Sequence, residues 1–391
     1  HSFHMKGGDS NRKCRTFEEG RQPPGFGIRG FKMLGFSQTH MANRVTLLEE
    51  RLQRVDERSR RIMESATEIV PDTNPQEIWW PYVVSFYQDE RVLFERVRID
   101  PEVFYDSLAI VRDVTWEMRG RQSAIRPNRE KLFFLMTFMS RGISTLEVLA
   151  SRHIKTRDHI ITTLKKITTR FLPILKAATV HYNNETVLDT PNCSLIVDCT
   201  VCQVKKPALH FDDAMAHFSG KHKLYCLKKE ACLNIRSGTA AIVSKAFPGS
   251  VSDIEVLRSH SGEVNAVLAG RSMLADLGYR GVQHDVPTIV VCDMQHIQNR
   301  TRRVLVECYF GRLKCLWSVF SARWKLGDKV FDDFFDLACC FTNMDVLHRP
   351  LRETDREFNQ GLLNLLRNER ERALEERRLA NAAYRERRRF L

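Results

Sequence analysis

The sequence has no apolar run long enough to cross a bilayer. Its longest, LFFLMTFM from Leu132 to Met139, stops far short of the roughly 20 residues a spanning helix needs. Its opening thirty residues are polar, basic and glycine-rich, so no secretory leader is expected. Acidic residues are outnumbered: 48 Asp and Glu against 61 Lys and Arg leave a net charge of +13 and a pI near 9.3. That balance favours an anionic partner, nucleic acid first, and says nothing about fold. Cysteine is almost missing from the first half, since ten of the eleven follow residue 190. Several sit inside apolar runs, such as Cys292 in IVVCD and Cys339-Cys340 in LACCF, which reads as reduced core thiols of a soluble intracellular protein. Cys199 and Cys202 have half of a zinc-site spacing, but no second pair follows, and both read as structural thiols within a strand. A glycine-rich loop of the nucleotide-cradling kind is absent, which argues against ATP use.

What is present suggests two or three folded units in 391 residues, with 43% hydrophobic residues to build a sizeable core. Residues 1–40 mix Gly, Pro and basic residues without apolar periodicity and are expected to be disordered. Residues 41–84 form a helical and linker segment, in which Val45, Leu48, Leu52, Val55 and Ile62 recur at helical spacing.

Residues 85–180 read as an α-helical region. Asp100-Pro101 opens a helix, PEVFYDSLAIVRDV, with Asp as cap and Pro in the first turn. A second helix runs from Asn128 to Met139 until Gly142 breaks it. A short helix, TLEVLASRH, and a helix opened by Thr156, RDHIITTLKKITTRFL, complete a helix-turn-helix outline. The last of these would bury Ile160, Leu164 and Ile167 and expose Lys155, Arg157, His159, Thr163 and Lys166, the cations among them being candidate DNA contacts.

From Asn192 the texture changes to strands, and residues 190–350 read as an α/β sheet with helices on its faces. In the run Leu195 to Cys202 one face is wholly apolar, and the other carries Asp198 and Thr200. KHKLYCLKKEACLNI and GTAAIVSKA are two strands around a turn containing Asn234, Ser237 and Gly238. The loop HFDDAMAHFSGKH, with His210, His217 and His222, is expected to be flexible and to face DNA. After Pro248-Gly249-Ser250 a helix starts with Ser252 or Asp253 as its cap, SMLADLGYRG is a strand ending at Asp276, and TIVVC is a further strand. RTRRVLVECYFGRLK (300–314) is a helix with Glu307 among Arg300, Arg303 and Lys314 and an apolar stripe of Leu305, Tyr309, Leu313 and Leu316. Residues 351–391 are a charged helical tail, expected to dock through its first turns and then fray.

Asp198, Asp276 and Glu307 can converge near the carboxyl ends of adjacent strands. Clustered acids need cations to share their charge, and hard oxygen ligands suit Mg²⁺ or Mn²⁺, two of which can work on one phosphodiester. Arg300, Arg303 and Lys314 would then hold flanking phosphates.

The segments LIVDCT, HFSGKHKLYCLK, FPGSVSDIEVLRS, MLADLGYRG and RTRRVLVECYFGRLK, in this order, resemble PIF/Harbinger transposases over roughly residues 90–350. The resemblance implies an RNase H-like catalytic core preceded by the helix-turn-helix region. It also implies a metal-binding catalytic triad of Asp198, Asp276 and Glu307, a supporting Asp253, and Lys221 and Lys223 on the DNA side. The span from Asp276 to Glu307 is shorter than the family's, which brings in Asp293 as a rival ligand. Implied partners are transposon ends and target DNA, and a separate Myb-like DNA-binding protein. A nuclear site of action is expected and no membrane; homo-oligomerisation stays open. The alternative is a domesticated DNA-binding or adaptor protein that keeps the fold without strand transfer.

Overall fold

The longest strand fixes the architecture. In β1 (Cys193–Gln203) apolar side chains alternate to both sides, so the strand must be covered on both faces. It pairs antiparallel with β3 (Leu224–Asn234), with Asp198 opposite Ala231, and parallel with β6 (Ser272–Ala275), with Ile196 opposite Leu274. β6 pairs parallel with β7 (Ile289–Val291). A two-residue strand β2 (Phe218–Ser219) edges β3, giving the order β2-β3-β1-β6-β7, while β4 (Ala240–Val243) and β5 (Phe247–Pro248) also pair with β3. The computed structural model describes residues 90–112, 114, 116, 128–142, 156–181, 193–207, 211–291 and 297–389.

One face of the sheet carries Ile196, Cys202, Leu227, Ala231, Leu233 and Leu274 into the larger core. That core is shared with the N-terminal helices α1 (Glu90–Val97), α2 (Pro101–Val111), α3 (Asn128–Arg141) and α4 (Arg157–Thr179). Between β1 and β3 lies α5 (Phe211–His217). The opposite face carries Leu195, Val197, Cys232, Met273 and Ala275 against α6 (Asp253–Arg258) and α7 (Ser261–Leu268), the crossover from β3 to β6. After β7 come α8 (Ile297–Leu316), α9 (Ser318–Ser321), α10 (Phe331–His348) and α11 (Arg356–Arg389), with α8 and α10 on the larger-core side. α10 is buried almost all round, as a central helix must be. Its polar members are therefore paired. Asn343 accepts from Ala240 N and Tyr309 Oη, both at 2.8 Å, and donates to the Thr179 and Ala240 carbonyls, also at 2.8 Å, stitching four elements together.

Local signals decide several boundaries. Asp100 caps α2 by accepting from Glu102 N at 2.9 Å, and Thr156 caps α4 by accepting from His159 N at 3.2 Å. Gly142 ends α3 with a φ of 77°. Ser252, and not Asp253, caps α6, in a reciprocal capping box with Glu255. The short helix 145–153, the residues before 90 and Asp293 lie outside the described residues. Ile160, Leu164 and Ile167 are buried in α4, while Arg157, His159 and Lys166 are exposed and Thr163 is half-buried.

Three expectations need correction. α4 does not stop before Pro173 but runs on to Thr179, because Phe171, Leu175 and Thr179 continue its buried stripe. That packing outweighs the roughly 3 kcal/mol an internal proline costs. The loop around His217 is not irregular: it forms α5, β2 and a tight turn in which Lys223 N donates to Ser219 O at 2.7 Å. His217 pairs with Asp328 at 3.3 Å. The charged tail does not fray after its first turns. Leu362, Leu363 and Leu366 dock against Val103, Met344 and Leu347, and α11 then continues to Arg389 as a helix of strong helix formers. Among the described residues no helix is long and apolar enough to cross a membrane.

Candidate active site

The two aspartates follow the ends of one parallel pairing, β1 with β6. Residues paired across neighbouring strands share a face, and every second residue returns to it. Leu274 sits opposite Ile196 on the larger-core face, and Asp276 and Asp198 each follow two residues further along their chains. β6 ends at Ala275, but the backbone at Asp276 is still extended, with φ −81° and ψ 178°. Asp198 Oδ1 accepts from Cys199 N at 2.7 Å. Asp276 caps a single 3₁₀ turn, Leu277–Tyr279, through Oδ1, which accepts from Gly278 N at 2.9 Å.

α8 covers the same face, and two anchors fix its direction. Leu305 Cδ1 packs at the turn around Gly238, next to the start of β1, since Ile235 N donates to Ser194 O. Lys314 Nζ donates to Val201 O at 2.9 Å, near the other end of the strand. The helix therefore runs alongside β1. Glu307 lies two turns before Lys314, about 10.5 Å back along the axis. Asp198 lies three residues before Val201, about 10 Å back along the strand. Glu307 lies on an exposed part of the helix surface. The apolar stripe beneath it holds: Leu305, Tyr309 and Leu313 are buried and Leu316 half-buried.

Asp253 joins from the first turn of α6. A Cβ built on Gly278 would stand 2.9 Å from Asp276 Oδ1 and 3.5 Å from Asp253 Oδ2, so both carboxylates border one point. The Asp253 charge is balanced by Lys228 Nζ at 2.7 Å, which also donates to Val251 O. Lys221, His222 and Lys223 are exposed on the turn after β2, and Lys223 holds a φ of 54°. Partial burial, with Lys221 and Lys228 nearby, pushes the His222 imidazole below its usual range. Arg157 and Lys166 are exposed on α4, whereas Lys155 and the side chains of Arg300 and Arg303 lie outside what the structure describes. Lys314 fastens α8 to β1.

On the opposite face lies a polar group that the alternation of the sequence did not reveal. Glu230, fully buried in β3, accepts from Tyr279 Oη at 2.9 Å, and its other oxygen lies 3.0 Å from His260 Nε2. Cys199 is 3.7 Å from Glu230 and 3.4 Å from Tyr279 Oη. Burial, and then the Glu230 charge, push the Cys199 and Cys232 thiols and the Tyr279 phenol well above their usual ranges. A charge inside the apolar run LKKEACL was the available signal. Cys199 and Cys202 point to opposite faces of β1, so together they form no site.

Residues 197–343 match the family described as DDE superfamily endonuclease. This stretch is a DDE superfamily endonuclease domain. Comparison with curated proteins and with solved structures gives no match. The endonuclease domain begins one residue before Asp198 and ends within α10, so it contains Asp198, Asp253, Asp276 and Glu307. The mixed sheet with helices on both faces agrees with an α/β nuclease core. A domain of this kind implies a metal-dependent nuclease or transposase and a DNA substrate.

Proposed function

We propose that the endonuclease domain is the catalytic core of a Harbinger-type transposase, RNase H-like in fold, which cleaves DNA phosphodiesters and joins 3′-hydroxyl ends to target DNA. The observation that supports the proposal is the parallel pairing of β1 with β6, Ile196 opposite Leu274, two residues before Asp198 and Asp276, on a sheet whose same face is covered by the Glu307 helix. The donor set fits a divalent metal: three carboxylates from three elements supply hard oxygens, which suit Mg²⁺ or Mn²⁺. Asp198, Asp276 and Glu307 would hold a pair of such ions. When bound, the pair supplies activation of a water or 3′-hydroxyl and charge stabilisation at the leaving oxygen.

The chain's own groups then have distinct tasks. Asp253, neutralised by Lys228, borders Asp276 at Gly278 and positions its carboxylate. Lys221 and Lys223 contact the phosphates of the bound strand, and Arg157 and Lys166 extend the basic surface along α4. Action in the nucleus and a Myb-like partner belong to the same reading.

Nicking of supercoiled plasmid DNA in Mg²⁺ or Mn²⁺ tests it. Activity is expected in the wild-type chain and not in Asp198→Ala, Asp276→Ala or Glu307→Ala. Wild-type activity in all three variants would reject the triad. Salt-dependent DNA binding with no cleavage in either ion would instead favour a silent DNA-binding protein.

A further inference from the structure

The buried group behind the sheet is built like a ligand set. Glu230 and Cys232 are alternate residues of β3, so both point to the side of α6 and α7, and neither has any measurable exposure. His260 joins them from the junction of those two helices, where it occupies the cap position of α7 without a side-chain cap bond. One ligand atom from each of the three lies within 4.8 Å of the other two.

Hydrogen bonding shows which atoms are available. His260 Nδ1 lies 2.9 Å from the Val256 carbonyl, which can only accept, so Nδ1 carries a proton. Nε2 lies on the other side of the ring, toward β3. It faces Glu230 Oε1 at 3.0 Å, yet both atoms are buried without a hydrogen-bond partner. The other Glu230 oxygen is occupied by Tyr279 Oη. A buried carboxylate and imidazole this close are held either by a shared proton or by a metal ion, and their poor alignment as a hydrogen bond favours the ion. A histidine fixed through Nδ1 by a backbone carbonyl is also the usual support of a metal-bound imidazole.

We propose that Glu230, Cys232 and His260 bind one Zn²⁺ ion, separate from the set Asp198, Asp276 and Glu307. A mixed oxygen, sulfur and nitrogen set suits zinc and not Mg²⁺. The ion ties the centre of β3 to the α6–α7 crossover, which carries Asp253 at its start and delivers β6, so its role is structural.

Metal analysis of the full chain, purified without a chelating tag and desalted into metal-free buffer, tests the site. Roughly one zinc per chain is expected in the wild type and in the Asp198→Ala/Asp276→Ala variant. His260→Ala and Cys232→Ser should each lose it. Absence of zinc from the wild type after incubation with zinc chloride overturns the proposal, as does loss of the ion in the aspartate variant. Should the ligand variants fail to fold, cobalt exchanged into the wild-type chain gives the answer. A thiolate-to-cobalt charge-transfer band is expected, and its absence shows that Cys232 is not a ligand and overturns the proposed set.

Discussion

Lys229, fully buried in the middle of β3, holds its ammonium 3.0 Å from Asp336 Oδ1 on α10 and 2.7 Å from Asp332. The pair crosses the larger core, where Lys176 of α4 also reaches Asp336, at 2.6 Å. Removing one partner of a buried pair strands the other charge, which costs about 3–5 kcal/mol, while replacing both with apolar groups costs far less. Asp336→Ala leaves Lys229 with Asp332 alone and should destabilise by less than that amount, and Lys229→Met/Asp336→Leu by less than the sum of its parts. Urea denaturation of the three variants checks this. A loss under about 1 kcal/mol for Asp336→Ala would show that the pair does not clamp α10 to the sheet.

His348 gives the protein a pH dependence of a definite sign. Burial disfavours its charge, but hydrogen bonds to Asp106 and Glu102 of α2, each at 2.9 Å, outweigh burial and raise its pKa to about 9. The unfolded value is about 6.5. A raised pKa contributes stability that is fully present below the unfolded value and disappears as pH rises through the folded one. The full effect is of order 3 kcal/mol. Wild type should exceed His348→Gln in stability at pH 6, with the gap closing between about pH 6.5 and 9. Denaturation midpoints across that window test the assignment, and a constant gap would refute it.

Much of this architecture was legible because the informative residues act locally. Asp100, Thr156 and Gly142 set helix ends through their own side chains or backbone freedom, and the alternation from Leu195 to Cys202 placed Asp198 on its own face of β1. What could not be read from periodicity is what the far side of the sheet supplies. Lys229 and Glu230 look like solvent-facing charges until α10 brings Asp336 to one and α7 brings His260 to the other. The same holds for α4, whose passage through Pro173 depends on the core it enters.

Gly278 marks how tightly the carboxylates are packed. Alanine is compatible with its 3₁₀ turn, but the added Cβ would stand 2.9 Å from Asp276 Oδ1, closer than real contacts allow, so the carboxylate must shift. Gly278→Ala should reduce metal-dependent cleavage by about 10–100-fold, the range for residues that orient metal ligands. Its denaturation midpoint should stay near that of the wild type. Unchanged cleavage would mean that Asp276 does not need its present position.

Lys314 separates two roles for one cation. At the sequence level it belongs with phosphate-binding residues, yet its Nζ donates to Val201 O and holds α8 alongside β1. A hydrogen bond from a charged donor contributes about 1.5–3 kcal/mol, so Lys314→Met should lower stability by that order. A lost phosphate contact has another signature: the slope of log affinity against log salt falls by about 0.9 for each phosphate no longer neutralised. Anisotropy titrations of a labelled DNA duplex at several salt concentrations should show the wild-type slope for Lys314→Met and a shallower one for Lys221→Ala/Lys223→Ala. A shallower slope for Lys314→Met would return this side chain to the DNA surface, and α8 would lose one of the two anchors that fix its direction along β1.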